Sequence, residues 1–219
     1  MGMHFGIVAV KAEVGQLMAA FATSWPRHEP AGSTPLAGLE ALDTWMRATQ
    51  RQVTAAAWSV DNRGTDTFGF WQDGEWAVML DPSYAQASDR KALAALSERF
   101  GLALSFIIET SGGCAFFDAF AQGRRVRHLQ SIDGAVTSEG ERLPQEAGLP
   151  ASAYYMDETE QLQRAFGITP LERLPADQPV TGAAYVDRTD YGALKKAPQA
   201  RAPAPVAAPA PRRPWWRFW

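Results

Sequence analysis

Short apolar segments separated by glycine-containing turns occupy the middle of the chain and constrain its fold more than any other feature. Segments 67–71 and 75–80 flank Gln72-Asp73-Gly74. An Asp-Gly pair between two such segments is a strong signal for the tight turn of a β-hairpin. This part of the sequence therefore predicts an antiparallel pair of strands.

A second series of turns follows further along the chain. The strand candidates 114–121, 124–130 and 135–138 are separated by Gln122-Gly123 and Asp133-Gly134. Turns at this regular spacing are typical of an antiparallel meander.

Helical periodicity appears on either side of these strands. Apolar residues recur at helical spacing in four segments, and strands are expected at three further places. The helices are expected at 14–21, 34–46, 88–100 and 157–166, and the strands at 6–10, 53–60 and 102–109. Together these elements predict an α+β fold with a mostly antiparallel sheet and about four helices.

Capping residues indicate where the helices begin. Thr34, which precedes a proline, is expected to begin the second helix, and Ser88 the third. Asp157 and Glu160 form a capping-box pattern for the fourth helix. The segment 25–33 contains two prolines and a glycine and is expected to be a loop.

Composition divides the chain into four parts. Residues 1–175 are expected to form one globular domain, and residues 176–196 a peripheral segment with a short edge strand at 180–185. Residues 197–214 contain six prolines and seven alanines, which cannot build a core, so they are expected to be a disordered linker. Residues 215–219 are expected to be a Trp- and Phe-rich docking tip.

Charge is distributed unevenly along the chain. All 24 acidic residues lie at or before Asp190, whereas six of the 21 basic residues follow it, so residues 1–190 carry a formal charge of −9 and the remainder +6. The domain is therefore expected to repel nucleic acid and anionic membranes, and the tail to be attracted to either.

Cysteine usage and hydropathy indicate a compartment. Cys114 is the single cysteine, which excludes an internal disulfide and any multi-cysteine metal site. A reducing, cytoplasmic location in a bacterial-type cell is expected, with the inner face of the membrane as a second location. No apolar stretch approaches the roughly 20 residues that cross a bilayer, and the N-terminal residues read as a buried strand rather than a signal peptide.

The sequence carries no pattern typical of a known catalytic or cofactor site. His4, His28 and His128 do not stand at metal-ligand spacings, and the glycines form no phosphate-binding motif. The segment 111–114, Ser-Gly-Gly-Cys, lacks the context of an activated nucleophile and is interpreted as a glycine turn before a small core residue. No metal, cofactor or catalytic residue is predicted.

The segment 124–130 concentrates positive charge in an otherwise acidic domain. Strand alternation places Arg125 and Arg127 on one face, which makes them a candidate secondary binding surface. The alternative is an exposed strand whose arginines pair with local acids. Several carboxylates are interpreted as solvated turn residues, namely Asp118, Asp133, Glu139, Glu141 and Glu146, and His28-Glu29 is interpreted as a surface polar pair.

Aromatic and basic residues are concentrated at the end of the proposed linker. The candidate docking residues are Arg212, Arg213, Trp215, Trp216, Arg217, Phe218 and Trp219. In composition this stretch of about eight residues is similar to short tryptophan- and arginine-rich cationic peptides that lie in membrane interfaces. Indole rings prefer the headgroup level and arginines are attracted to anionic lipid, while Trp and Arg also dominate protein-binding hot spots.

These features favour a binding function. The leading hypothesis is a non-enzymatic cytoplasmic binding or adaptor protein whose tail docks to a partner protein or an anionic membrane surface. A tail that binds the acidic surface of its own domain is a competing possibility, and nucleic acid is disfavoured because the domain repels it. The alternatives from other classes are a toxin-immunity-type inhibitor that uses its acidic domain surface, and an enzyme whose site is assembled from distant residues. The oligomeric state stays open.

Overall fold

A computed structural model describes residues 4–57 and 64–188, which form an α+β fold of four helices and a nine-stranded antiparallel sheet. The strands are β1 His4–Lys11, β2 His28–Ala37, β3 Thr65–Asp73, β4 Trp76–Asp81, β5 Leu102–Glu109, β6 Cys114–Ala121, β7 Arg124–Ile132, β8 Ala135–Gly140 and β9 Pro179–Asp187. The helices are α1 Val14–Ser24, α2 Gly38–Ala57, α3 Arg90–Phe100 and α4 Met156–Phe166, with 3-10 turns at Pro144–Glu146 and Leu171–Arg173.

The sheet has the strand order β2-β9-β3-β4-β1-β5-β6-β7-β8, and each neighbouring pair is antiparallel. Strand β1 is central, and its residues 6–10 are all buried. Both faces of this strand are covered by helices, which explains why its sequence is continuously apolar rather than alternating.

Two hydrophobic cores lie on the two faces of the sheet. Helices α1 and α3 cover one face, where Phe21 and Leu93 pack with Phe68 and Phe70. Helices α2 and α4 cover the other face, where Leu42 and Leu162 belong to a core with Trp71, Trp76 and Phe117. These are called the α1/α3 face and the α2/α4 face below.

The predicted hairpin and meander are confirmed. Strands β3 and β4 pair from Asp73↔Trp76, so Gly74 and Glu75 form the turn. Strands β5 to β8 pair in sequence, and the closing pair of the last hairpin is Ile132↔Ala135. The dipeptides Gln122-Gly123 and Asp133-Gly134 form the turns that they predict, whereas the turn between β3 and β4 lies one residue later than the Asp73-Gly74 pair indicates.

The expected loop at 25–33 is confirmed only for residues 25–27, and the expected start of the second helix at Thr34 is wrong. His28–Ala37 forms strand β2, and α2 begins only at Gly38. Proline is tolerated in an edge strand, where an N–H that points away from the sheet is not needed. Strand β2 is such an edge strand, and a bulge between Pro30 and Gly32 accommodates its irregular sequence.

The strand expected at 53–60 is also wrong. Residues 53–57 continue α2 to Ala57, and residues 58–60 lie outside the described residues. Three consecutive alanines at 55–57 favour helix, and they outweigh the β-branched Val53 and Thr54.

Residues 179–187 belong to the interior of the sheet rather than to a peripheral edge. Strand β9 pairs with β2 on one side and with β3 on the other, and the compact unit extends to Arg188. The sequence could not show this, because both partners of β9 lie more than 100 residues away.

Two helix caps differ from those expected. Asp89, rather than Ser88, caps α3, since its carboxylate accepts hydrogen bonds from the Lys91 and Ala92 N–H groups. At α4 the Glu158 carboxylate accepts from the Tyr155 N–H, so the capping interaction begins two residues earlier than the Asp157 and Glu160 pattern indicates.

Candidate functional site

The basic strand β7 departs from simple alternation. A bulge lies opposite Ala119 and Phe120, which pair with Arg127 and Arg125 and leave Val126 as the additional residue. An extra residue reverses the alternation beyond it. Arg125 and Arg127 therefore lie on opposite faces of the sheet, and the predicted common surface is wrong.

Arg127 is buried on the α2/α4 face in a bidentate ion pair. Its Nε and Nη2 atoms donate to the two Glu146 carboxylate oxygens, each at 2.7 Å, and both side chains are 2% exposed. Its Nη1 donates to Ser138 Oγ at 2.7 Å and to the carbonyl oxygens of Glu139 and Gly140. Each of the three guanidinium nitrogens thus has an acceptor, which compensates the burial of the charge.

Glu146 anchors the segment that follows β8. Its carboxylate also accepts from the Leu143 N–H at 2.9 Å, and Arg142 donates to the Glu146 and Leu149 carbonyls. Burial opposes ionisation, but the Arg127 hydrogen bonds, the Leu143 N–H and the charges of Arg127 and Arg142 outweigh it and lower the pKa of Glu146. The expectation of a solvated turn residue is wrong, because the chain folds back over β7.

A second polar cluster lies on the α1/α3 face of the same strands. His128 Nδ1 is 2.9 Å from Asp118 Oδ1, and both residues are buried. Arg125 contacts Asp118 at 3.4 Å and also pairs with Glu139. Asp118 was expected to be solvated, but cross-strand pairing with His128 brings it under cover.

The Asp118–His128 pair has the geometry of an oriented imidazole. A carboxylate on Nδ1 fixes the tautomer and ring orientation and leaves Nε2 for other contacts. Here Nε2 lies 3.4 Å from the Gln130 amide oxygen. In the part of the chain that the structure describes, no hydroxyl or thiol bonds this nitrogen.

Two cavities flank the segment that connects β8 to α4. A small cavity of about 40 Å³ lies between this segment and strands β7 and β8, and a wider one of about 410 Å³ lies at the β7–β8 turn. The wider cavity is lined by two carboxylates and two aromatic rings, those of Asp133, Glu158, Tyr154 and Tyr155. Burial raises the pKa of Tyr154, so its hydroxyl stays neutral at physiological pH.

Cys114 lies in an environment that disfavours a thiolate. Partial burial, and then the Glu109 and Asp133 carboxylates, raise the pKa of its thiol, and the thiol donates to the Gly112 carbonyl. A reactive cysteine needs a cationic neighbour instead. The glycine turn expected at 111–113 is present between β5 and β6.

His28 forms a polar cluster that the sequence did not indicate. It is buried at the start of β2, with Nε2 2.9 Å from Asp66 Oδ2 and 3.3 Å from the Gln86 amide nitrogen. Its ring contacts the rings of Phe21 and Phe68 edge to face. The expected surface pair His28-Glu29 is wrong for His28, because strand pairing turns its side chain into the α1/α3 core.

The candidate docking residues of the tail, Arg212 to Trp219, lie outside the described residues, as do the linker 197–214 and the tip 215–219. Within residues 4–57 and 64–188, no group of three or more His, Cys, Asp or Glu side chains is arranged to hold a metal ion. No helix in these ranges is long and apolar enough to span a bilayer.

Comparison with known proteins gives no relative from which a function could be inferred. No family model, no curated protein and no solved structure matches the chain.

Proposed function

We propose that this chain is a non-enzymatic cytoplasmic binding or adaptor protein whose C-terminal Trp/Arg peptide docks to a partner protein or an anionic membrane surface. The observation that carries the proposal is the separation of charge and aromatic residues along the sequence. Residues 1–190 carry a formal −9, while the following residues carry +6 and end in four aromatic side chains within five residues.

The folded domain is consistent with a carrier for such a peptide. Buried Arg127 and Glu146 form an ion pair, and buried His128 lies against Asp118. Removal of one partner of a buried ion pair is strongly destabilising. The Arg127–Glu146 pair therefore keeps the segment after β8 on strand β7 in the domain to which the docking segment is attached.

The energy available to the tail is sufficient for reversible attachment. Each arginine near an anionic membrane contributes about 1 kcal/mol, and tryptophan adds affinity at the headgroup level. Against a protein partner, Trp and Arg are the residues most often found at hot spots. At about 3.1 Å per residue, an extended Pro/Ala linker of this length would place its tip roughly 50 Å from its origin.

The decisive experiment compares the full chain with a chain truncated after Lys196. Each is tested by co-sedimentation with neutral and anionic vesicles and by affinity capture from the source cytoplasm. We expect the truncation to abolish attachment and leave the circular dichroism spectrum of the domain unchanged. Equal binding by both chains would disprove docking through the tail.

Two matched variants of the full chain separate the two targets. Replacing Arg212, Arg213 and Arg217 with lysine keeps the charge, so membrane binding should persist while a partner that recognises guanidinium groups is lost. Replacing Trp215, Trp216 and Trp219 with alanine should weaken either interaction by about tenfold or more.

A toxin-immunity-type inhibitor is the second candidate function. It is favoured by the acidic domain, and locally by Asp133 and Glu158, which line the 410 Å³ cavity. An acidic surface of this kind suits the neutralisation of a basic toxin. Co-expression with a toxic product of a neighbouring gene tests it, since survival would be expected only with the domain present.

A further inference from the structure

The two edges of the sheet differ in whether they can accept another strand. At one edge, β2 carries Pro30 and Pro35, which have no N–H to donate, and a bulge at Gly32. These devices block the addition of a strand. At the other edge, β8 has the sequence Ala-Val-Thr-Ser-Glu-Gly without proline, and five of its six residues are exposed.

The β7–β8 turn determines which backbone groups of β8 are free. Asp133 and Gly134 have φ of 50° and 79°, the signs that a two-residue type I′ hairpin requires. In such a hairpin the closing pair, Ile132 and Ala135, is hydrogen-bonded, and the bonded pairs then alternate along the strand. The N–H and C=O groups of Val136 and Ser138 therefore point away from β7, toward the open edge.

A cavity lies beside these free groups. The 40 Å³ cavity on the α2/α4 face is lined by Val136 and Ser138 of β8 and by Leu149 and Pro150 of the following segment. A strand placed next to β8 would direct alternate side chains toward this face. The cavity size admits a small side chain there, and Ile132, which is 39% exposed, offers apolar contact on the other face.

Charge selects among the chains that could occupy the edge. Asp133 and Glu141 are exposed next to β8, whereas Glu139 of β8 is exposed but paired with Arg125. Arg125 is engaged by Asp118 and Glu139, and Arg142 by the backbone carbonyls of Glu146 and Leu149. The domain of a second copy would bring the same acidic edge and another formal −9 against this one, whereas a basic peptide is complementary.

The geometry points to β8 as a docking site for an extended basic peptide of a partner protein, which pairs with Val136 and Ser138 as a tenth strand. Main-chain hydrogen bonds supply the affinity, and alternate side chains supply the selectivity. This interaction belongs to the folded domain and is independent of docking through the tail.

The test uses the full chain and a fluorescent heptapeptide, Lys-Thr-Val-Thr-Val-Thr-Arg. Two control peptides have the same length: one carries glutamate at both ends, and the other is the basic peptide with alternate backbone nitrogens methylated. Binding is followed by fluorescence anisotropy, and hydrogen exchange of individual amides locates the site. Of the three peptides, we expect only the unmethylated basic peptide to bind. It should slow hydrogen exchange of the Val136 and Ser138 amides by about tenfold or more.

Two substitutions at one position separate backbone from side chain. Val136→Pro removes an outward N–H without removing a bond to β7, so affinity should fall by about tenfold or more, which is about 1.4 kcal/mol. Val136→Ala keeps that N–H and should stay within about threefold of the unaltered chain. If Val136→Pro does not fold, hydrogen exchange in the unaltered chain decides whether the peptide pairs with β8. Equal binding of all three peptides would overturn the proposal, as would protection from hydrogen exchange elsewhere than in β8. If the Val136 and Ser138 amides become protected without peptide as the protein concentration rises, the proposal is overturned in favour of a second copy.

Discussion

Arg127 and Glu146 form a buried ion pair that joins β7 to the segment after β8. Each side chain is 2% exposed, and each nitrogen of the guanidinium has an acceptor. Removal of one partner from such a pair leaves an uncompensated charge, which is far more costly than loss of an exposed pair. The pair therefore holds the segment after β8 against strand β7.

Arg127→Met should destabilise the protein by about 3–5 kcal/mol, because it leaves the Glu146 carboxylate buried without a counter-charge. The double variant Arg127→Met/Glu146→Leu should recover most of that loss. Chemical denaturation measures both. Arg47→Met is the matched control, since Arg47 and Asp43 form an exposed pair and its loss should cost less than about 1 kcal/mol. Similar losses for Arg47→Met and Arg127→Met would contradict a buried, energetically important pair.

The lowered pKa of Glu146 also predicts a dependence of stability on pH. The unfolded value is about 4.3, and the folded value lies below it, so between the two the unfolded state binds more protons. The contribution of Glu146 is therefore complete above about pH 5 and is lost as pH falls through the folded pKa. Compared with Glu146→Gln, the unaltered chain should be more stable at pH 7, and the difference should shrink in acid. A difference that stays constant from pH 7 to pH 3 would show that folding does not lower the pKa of Glu146.

At the scale of elements, helix α2 is held close to the sheet by two glycines. Gly69 of β3 and Gly182 of β9 are direct cross-strand partners. A Cβ on Gly69 would lie 2.3 Å from a Leu42 methyl, and one on Gly182 would lie 2.6 Å from the Trp45 ring. Neither glycine is required by a positive φ, so both are required by the close approach of the helix.

Gly182→Ala should destabilise the protein by about 1–3 kcal/mol, because the Trp45 ring must move out of its packed position. Gly15→Ala in α1 is the matched control, since nothing lies within 4 Å of the added methyl. This control should be neutral or stabilising by up to about 1 kcal/mol. Thermal denaturation distinguishes the two, and a Gly182→Ala protein as stable as Gly15→Ala would exclude tight packing of α2 on β9.

At the scale of the whole molecule, the last described strand completes the sheet. Strand β9 lies between β2 and β3 and is their shared partner. Without it, β2 has no strand to pair with and the edge of β3 is exposed. The sheet is therefore complete only after nearly all of the described chain has folded. Pairing between segments so far apart in sequence slows folding.

A chain that ends at Leu174 should fail to form the cooperative fold, whereas a chain that ends at Lys196 should unfold with the same midpoint as the full protein. The shorter chain loses the pairing of β9 with both neighbours and the core residues Val180 and Tyr185. Far-ultraviolet circular dichroism through a urea titration provides the measurement. A cooperative transition in the chain that ends at Leu174 would mean that β9 is dispensable.

The sequence predicted the fold class and the candidate site to different extents. Strands β6 to β8 are predictable because the two-residue turns Gln122-Gly123 and Asp133-Gly134 act on their immediate neighbours, whereas β5 is predictable from its β-branched and aromatic residues. Arg125 and Arg127 were singled out correctly as unusual residues, but the bulge at Val126 put them on opposite faces. The sequence does not reveal the burial of Glu146, His28 and Asp118, because the partners that bury them lie between 10 and 58 residues away and nothing local indicates the contact.

The sequence by itself determined the α+β class, the central apolar strand, the hairpins and the charge contrast between the domain and the tail. These follow from composition, periodicity and turn chemistry, which act over a few residues. Only the tertiary structure decided that a proline-containing segment forms an edge strand, that residues 179–187 lie inside the sheet and that Arg127 is a buried ion-pair partner. Each of these depends on contacts between distant segments, since an edge tolerates proline only where its outer side is unpaired, and Arg127 is buried because the Glu146 carboxylate meets its guanidinium.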